Sequence, residues 1–154
     1  MEPGGCLRGA FNALEQAVTA FLDTNVLVYR VDFAAPEKQQ RAAQLVSRLY
    51  QSRDAVISTQ VMQEFYNTLT RKLGISPNDA AIATKHHGKA RLVSLNGPII
   101  EYAMQRHAAG QFSFWDALIV EAALAAGCKT LYSEDMQHGL VVNGMTIENP
   151  FVGL

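Results

Sequence analysis

The 154-residue chain has few of the features that mark secreted, membrane or disordered proteins. It contains only two cysteines, Cys6 and Cys128, at opposite ends, which gives neither a framework of disulfide pairs nor a metal-ligand spacing. Its apolar runs are far shorter than a membrane span, and it has no internal repeat, low-complexity tract or long charge block. These absences predict one globular domain in a reducing compartment, with the cytoplasm as the default and no membrane partner.

The chain also lacks a large net charge of either sign, since its formal charge is only −1. Its charge is nevertheless uneven, because residues 71–91 carry about +4 and the remainder about −5. One interpretation is an ordinary solvated surface. The other is a surface that attracts a polyanion, in which Arg71, Lys72 and Lys89 would contact phosphates.

Strand and helix patterns alternate along the sequence. Strands are predicted over residues 17–22, 55–59, 91–95, 129–133 and 145–151, and helices over residues 35–51, 60–74, 76–90, 99–110 and 114–127. Strands separated by helices of this length favour parallel pairing through right-handed crossovers. We therefore expect an α/β fold with a three-layer α/β/α sandwich.

Two carboxylates directly follow predicted strands. Asp23 comes after the apolar run "AFL", and Asp135 follows "LYS", in which Ser133 is available to orient an acid. Because a ligand crevice in an open parallel sheet lies beyond the carboxyl ends of its strands, the two acids would share one edge if their strands are neighbours. Either aspartate taken alone is as readily a helix cap or a turn residue.

Two further acids lie on predicted helices that are otherwise rich in apolar residues. Glu64 is flanked by apolar positions in "STQVMQEFYN", and Asp116 lies in the first turn of "FSFWDALIVEAAL". Each has a structural alternative. Glu64 can be an exposed residue that simply favours a helix, and Asp116 can belong to a capping box with Ser113 at the start of its helix. If all four acids share one crevice, their repulsion is tolerable mainly when a divalent cation neutralises them. Oxygen ligands without a histidine or cysteine cluster favour Mg²⁺ or Mn²⁺.

The four acids also carry a family resemblance. The segments "FLDTNVLVY", "STQVMQEFYN", "FSFWDALIVEAAL" and "LYSEDMQHG", in this order, resemble the acidic motifs of PIN-domain nucleases, specifically the VapC-type toxins of toxin–antitoxin pairs, and "GMTIENPF" resembles the closing strand of that family. The resemblance implies a five-stranded, mainly parallel sheet and a Mg²⁺- or Mn²⁺-dependent endoribonuclease. It also implies a homodimer and inhibition by a small cognate antitoxin.

The resemblance assigns roles by position. The catalytic, metal-binding residues would be Asp23, Glu64, Asp116 and Asp135, which we call the acidic quartet, with Asp23 and Asp116 as the principal metal ligands. Thr24, Asn25 and Ser133 would hold the carboxylates and ordered waters by hydrogen bonds. A housekeeping RNA-processing nuclease, and a PIN fold kept as a weakly catalytic binding module, remain alternative functions.

The beginning of the chain departs from this family pattern. Residues 1–18 form an extension before the expected domain at 19–154, and either a short helix or an over-long start would account for it.

The histidines and aromatic residues receive weaker assignments. His86 and His87 are expected at the surface, since adjacent helical residues diverge, and His107 and His138 stay unassigned. Phe114 and Trp115 are expected in the core, with base stacking beside the crevice as the alternative for an aromatic side chain.

Overall fold

The structure is a computed structural model that describes residues 18–154. The short helix that was one alternative for the N-terminal extension, at residues 11–18, lies almost wholly outside the described residues. Strands and helices alternate as expected. The strands are β1 (Ala20–Leu22), β2 (Ala55–Ser58), β3 (Arg91–Val93), β4 (Thr130–Tyr132), β5 (Val141–Val142) and β6 (Met145–Glu148). The helices are α1 (Thr24–Tyr29), α2 (Pro36–Ser52), α3 (Thr59–Arg71), α4 (Pro77–His86), α5 (Gly97–Ala108) and α6 (Phe114–Ala125), with a 3₁₀ turn at His87–Lys89.

The strands form a single mixed sheet in the order β3-β2-β1-β4-β6-β5. All neighbours pair in parallel except β5 and β6, which are antiparallel. The mostly parallel α/β fold is therefore confirmed, but the count of five strands is wrong. The sixth strand, β5, was missed because its two residues and the short turn at Asn143 and Gly144 are too brief to produce an alternating pattern.

Apolar spacing explains how the helices pack on this sheet. In α2 the residues Ala42, Leu45, Val46 and Leu49 are buried, the pattern of one helical face, and Pro36 occupies the first turn, where its missing N–H does no harm. Helix α6 is buried through most of its length, consistent with its almost unbroken apolar sequence. The largest side chains of the shared core include Phe21, Leu22, Leu27, Ile57, Phe65, Leu131 and Ile147.

Helix α1 is a second element that the sequence failed to predict. Its residues "TNVLVY" are rich in β-branched side chains and resemble a strand. The Asp23 side chain nevertheless accepts a hydrogen bond from the Thr24 N–H and caps the helix, whose Val26, Leu27 and Val28 are buried. Tertiary packing therefore overrides local propensity here. Among the described residues, no helix combines the length and apolarity needed to cross a membrane.

Candidate active site

Neighbouring parallel strands bring the two strand-end acids together, as the sequence predicted. Strand β1 pairs with β4 so that Leu22 lies opposite Tyr132, and the chain then continues into Asp23 on one strand and Ser133 on the other. Helices α3 and α6 add Glu64 and Asp116. One crevice of about 240 Å³, which we call the acidic crevice, is lined by Asp23, Thr24, Asn25, Gln60, Glu64, Asn67, Thr68, Trp115, Asp116, Ile119 and Asp135.

Asp23 is the most buried acid of the quartet, with 7% of its surface exposed. Its Oδ1 accepts a hydrogen bond from the Thr24 N–H at 2.7 Å, and its Oδ2 accepts one from the Ser133 hydroxyl at 2.8 Å. Because Ser133 itself is fully buried, the carboxylate is held in a fixed orientation at the carboxyl end of β1. The same residue thus caps a helix and faces the acidic crevice, so both interpretations from the sequence are compatible.

The other acids are held by neighbouring polar side chains. The Thr24 hydroxyl donates to Glu64 Oε2 at 2.5 Å, and Asn25 Nδ2 donates to Asp135 Oδ2 at 2.7 Å. Thr24 and Asn25 therefore link the β1 end to α3 and to the loop after β4. Asp116 takes part in the predicted cap, since its N–H donates to the Ser113 hydroxyl at 3.1 Å.

Burial and the repulsion of neighbouring acids make ionisation of Asp23 and Asp116 costly. Burial, assisted by the negative charges of Glu64 and Asp116, raises the pKa of Asp23 to about 6 against the lowering effect of the hydrogen bonds from Ser133 and Thr24. Burial also raises the pKa of Asp116, and the negative charges of Asp135 and Glu64 add to that effect. The acids thus repel one another, and among residues 18–154 no lysine, arginine or histidine lines the acidic crevice to offset this repulsion.

The buried side chain of Gln60, like the repulsion among the acids, indicates which ligand the acidic crevice can bind. This side chain is 4% exposed, and its Nε2 donates to Glu64 Oε1 at 2.9 Å and to the Trp115 carbonyl at 3.3 Å. Because both neighbours only accept, the amide cannot be flipped, and Gln60 Oε1 is buried with no donor from the described residues. A water carried by a cation is a donor of the kind that this atom needs.

The donor set fits a hard divalent cation. Its carboxylate and amide oxygens are the ligands that Mg²⁺ and Mn²⁺ favour, and a cation would relieve the repulsion within the quartet. In the described part of the chain, no group of three or more His, Cys, Asp or Glu side chains is arranged to hold a metal as it stands. Three of the quartet's side chains are instead turned to polar partners, namely Ser133 and Thr24 for Asp23, Thr24 and Gln60 for Glu64, and Asn25 for Asp135.

Trp115 and His87 correct the expectations for aromatic and histidine residues. Trp115 is 63% exposed and lines the acidic crevice, because it lies in the first turn of α6, ahead of the part of the helix that is buried. His87 is only 3% exposed, and its Nδ1 is 2.5 Å from the Tyr50 hydroxyl while its ring packs edge-on against Phe65. The spacing of Ala80, Ala83 and His87 along one helical face was the signal that could have predicted this burial.

The remaining histidines lie outside the acidic crevice. His86 is exposed, as expected. The Nδ1 of His107 lies 2.9 Å from the Phe112 carbonyl, and the Nδ1 of His138 accepts the Asn149 N–H at 3.0 Å.

The basic residues stand apart from the quartet. Arg71, Lys72 and Lys89 are exposed, and none of them lines the acidic crevice, so their contact with RNA stays a prediction. The acid next to Asp135 is already paired, because Glu134 forms a salt bridge with Lys38 on α2. Gln60, Asn67 and Thr68 line the acidic crevice but were not assigned to the site from the sequence.

Comparisons with solved structures identify the fold. VapC20 of Mycobacterium tuberculosis, described as a sarcin-ricin loop cleaving toxin, matches with 22% identity and a TM-score of 0.59 over 76% of this chain and 90% of that chain. A toxin–antitoxin complex from Klebsiella pneumoniae matches with 16% identity and a TM-score of 0.64 over 86% of this chain and 98% of that chain. VapBC2 from Rickettsia felis, bound to a DNA fragment from its promoter, gives 16% identity and a TM-score of 0.63 over the same shares.

The sequence itself supplies the family assignment. None of the curated proteins matches it. The PIN domain family model, however, matches residues 20–139, which contain the whole acidic quartet and most of the described fold. The chain therefore belongs to the PIN domain family.

Proposed function

We propose that this protein is a Mg²⁺- or Mn²⁺-dependent endoribonuclease that acts as the toxin of a toxin–antitoxin pair in the cytoplasm. The observation that carries the proposal is the acidic crevice, in which four carboxylates from four elements meet and no cationic side chain of residues 18–154 joins them. Membership of the PIN domain family and the similarity of the fold to VapC toxins support it. The toxin from M. tuberculosis is described as cleaving the sarcin-ricin loop, which makes RNA the substrate class to test first.

The quartet would hold the cation, with Asp23 and Asp116 as principal ligands and Glu64 and Asp135 completing the site directly or through water. A bound divalent cation supplies positive charge against the phosphodiester and acidifies water for attack on phosphorus. Ser133 and the Thr24 N–H fix the Asp23 carboxylate by hydrogen bonds. Cation binding would therefore cost little conformational entropy at this side chain. No side chain of the protein needs to act as a nucleophile.

Mapping of cleavage products tests the nuclease proposal. Purified protein is incubated with total RNA in Mg²⁺ or Mn²⁺, and the new 5′ ends are sequenced. We expect discrete cuts that leave a 5′-phosphate and a 3′-hydroxyl, and loss of those cuts with a chelator or with Asp23→Asn. An absence of metal-dependent cuts in wild-type protein would instead favour a binding module, and cuts confined to precursor RNAs would favour a processing nuclease.

The proposed antitoxin would exploit the same negative charge. A guanidinium offers a planar fork of donors that matches carboxylates, so we expect a disordered antitoxin tail to place an Arg or Lys in the acidic crevice. Apolar residues of that tail would anchor it along α3. In calorimetry, Mg²⁺ should compete with the antitoxin, and Glu64→Gln should weaken its binding. Equal affinity for a protein with all four acids neutralised would contradict this mode of inhibition.

A homodimer completes the proposal. Ile100 and Met104 are large apolar residues one turn apart on α5, and they are 36% and 50% exposed. A second copy of the chain would bury them. Light scattering should give the mass of a dimer for wild type and a lower mass for Ile100→Asp combined with Met104→Asp, and a monomeric wild type would contradict this part.

A further inference from the structure

Trp115 presents a large aromatic surface at the place where RNA would be cut. It precedes Asp116 in the first turn of α6, and its indole is 63% exposed although it lines the acidic crevice. Its backbone is fixed, because the Trp115 carbonyl accepts a hydrogen bond from buried Gln60, and its ring meets the Phe114 ring at 5.3 Å between centroids. The indole is therefore an exposed surface on a rigid support.

The surroundings of the indole are polar. Asn67 and Thr68 of α3 line the same crevice and supply an amide and a hydroxyl group, while the apolar Ile119 is buried. An apolar protein segment needs a continuous apolar surface, whereas an unpaired base needs an aromatic face with hydrogen-bonding groups nearby. The polar groups beside the indole therefore favour an unpaired base over an apolar protein segment as its ligand.

The charge of the acidic crevice points the same way. Four carboxylates repel a phosphate backbone, and in the described part of the chain no cationic side chain lines the crevice to attract it. Stacking on an aromatic ring contributes affinity through the neutral face of a base, which this charge does not oppose. In a duplex the bases are already stacked and paired, so the indole can take only an unpaired base.

We infer that Trp115 is a stacking platform for an unpaired base next to the scissile phosphate. The inference rests on the proposed nuclease function and adds to it a residue that positions the strand. Asn67 and Thr68 of the same crevice supply hydrogen-bonding groups for the edge of that base. Trp115 binds and positions the RNA strand, and the acidic quartet carries out the chemistry.

Fluorescence offers a direct test, because Trp115 is the only tryptophan in the chain. Wild-type protein in Ca²⁺ is titrated with single-stranded oligo(A), with an abasic oligomer of equal length and charge, and with an oligo(A)–oligo(U) duplex. We expect saturable quenching by single-stranded oligo(A) and little by the other two. Equal quenching by the abasic oligomer, or none by oligo(A), would overturn the inference.

Variants provide the second arm. With a labelled oligo(A), Trp115→Ala should weaken binding about 5- to 150-fold, the range for losing one base–aromatic stack, and Trp115→Phe should recover part of the loss. Phe33→Ala is the matched control, since Phe33 is 77% exposed and does not line the acidic crevice. If Trp115→Ala is folded and binds oligo(A) as tightly as wild type does, the inference is overturned. This holds also if the same variant binds a protein partner more weakly.

Cleavage assays separate this inference from the proposed function. If wild type cuts single-stranded RNA in Mg²⁺ and Trp115→Ala cuts it with the same KM and kcat, the base platform is wrong and the nuclease stands. If wild type binds oligo(A) with quenching but cuts no RNA, the platform stands and the nuclease is wrong. A raised KM in Trp115→Ala, partly restored in Trp115→Phe, supports both.

Discussion

Replacing Asp23 with Asn should stabilise the protein when no divalent cation is present. Burial raises the pKa of Asp23 to about 6, and the difference from an ordinary Asp corresponds to a cost of about 3 kcal/mol for its ionised form at neutral pH. Asn keeps the shape and can still accept the Thr24 N–H, but it loses the charge that strengthens the Ser133 contact. We expect a net increase of about 1–3 kcal/mol in the free energy of unfolding.

The pH dependence of this increase follows from the direction of the shift. The folded protein keeps a proton on Asp23 up to about pH 6, whereas the unfolded chain loses it near the ordinary Asp pKa. The cost of the ionised form is therefore full above pH 6 and disappears as the pH falls towards about 4. Burial also lowers the pKa of His87 to about 4, which weakens the folded state over a similar range, but both proteins share that effect. The difference between them isolates Asp23.

Urea unfolding in a chelator, at neutral and at acid pH, measures the effect. For a domain of this size, each kcal/mol corresponds to about 2–4 °C in the thermal midpoint, which provides a second readout. The control is Asp79→Asn, since Asp79 is exposed in the first turn of α4, where loss of its charge should stabilise nothing. Added Mg²⁺ should stabilise wild type more than Asp23→Asn. An Asp23→Asn protein that is no more stable at neutral pH, or whose advantage does not change with pH, would refute the reasoning.

Three further predictions concern residues outside the quartet. Changing Arg71, Lys72 and Lys89 together to Gln should raise KM and flatten the salt dependence of cleavage by up to ~0.7 log unit per lost contact without moving the cut, and equal salt slopes would reject a phosphate-binding role. His87→Gln should lower the free energy of unfolding by about 1–3 kcal/mol at neutral pH. Between about pH 6.5 and 4 the variant should lose less stability than wild type, which acid titrations followed by circular dichroism would show. Lys38→Met should lower the thermal midpoint and Lys38→Arg should restore it, because Lys38 pairs with Glu134 and its Nζ lies 4.7 Å from the centroid of the Tyr29 ring. An unchanged midpoint in both variants would show that these contacts do not stabilise the fold.

Parallel-sheet geometry made the shared position of the two strand-end acids predictable from the sequence. Asp23 and Asp135 each follow an apolar strand, and the rule that ligands bind beyond the carboxyl ends of parallel strands places them at one edge of the sheet. Glu64 and Asp116 lie on helices, where local patterns favour a surface acid and a cap. Their convergence with the strand-end acids was predictable only from the resemblance to a known family.

Tertiary context decided the features that sequence patterns missed. Helix α1 forms although its residues favour a strand, because Asp23 caps it and its apolar side chains are buried. His87 is buried by packing against residues distant in sequence, Tyr50 and Phe65. Trp115 belongs to an apolar helix but lies in its exposed first turn, a consequence of where α6 meets the acidic crevice. Of these three outcomes, only the burial of His87 had a local signal, its spacing from Ala80 and Ala83.

The most direct test of the account is to measure Mn²⁺ binding and RNA cleavage on the same preparations of wild type, Asp116→Asn and Asp79→Asn. The account predicts that wild type and Asp79→Asn bind the ion and cut RNA, and that Asp116→Asn remains folded but loses both activities together. Cleavage by Asp116→Asn at the wild-type rate, or cleavage by wild type in the complete absence of a divalent cation, would contradict it.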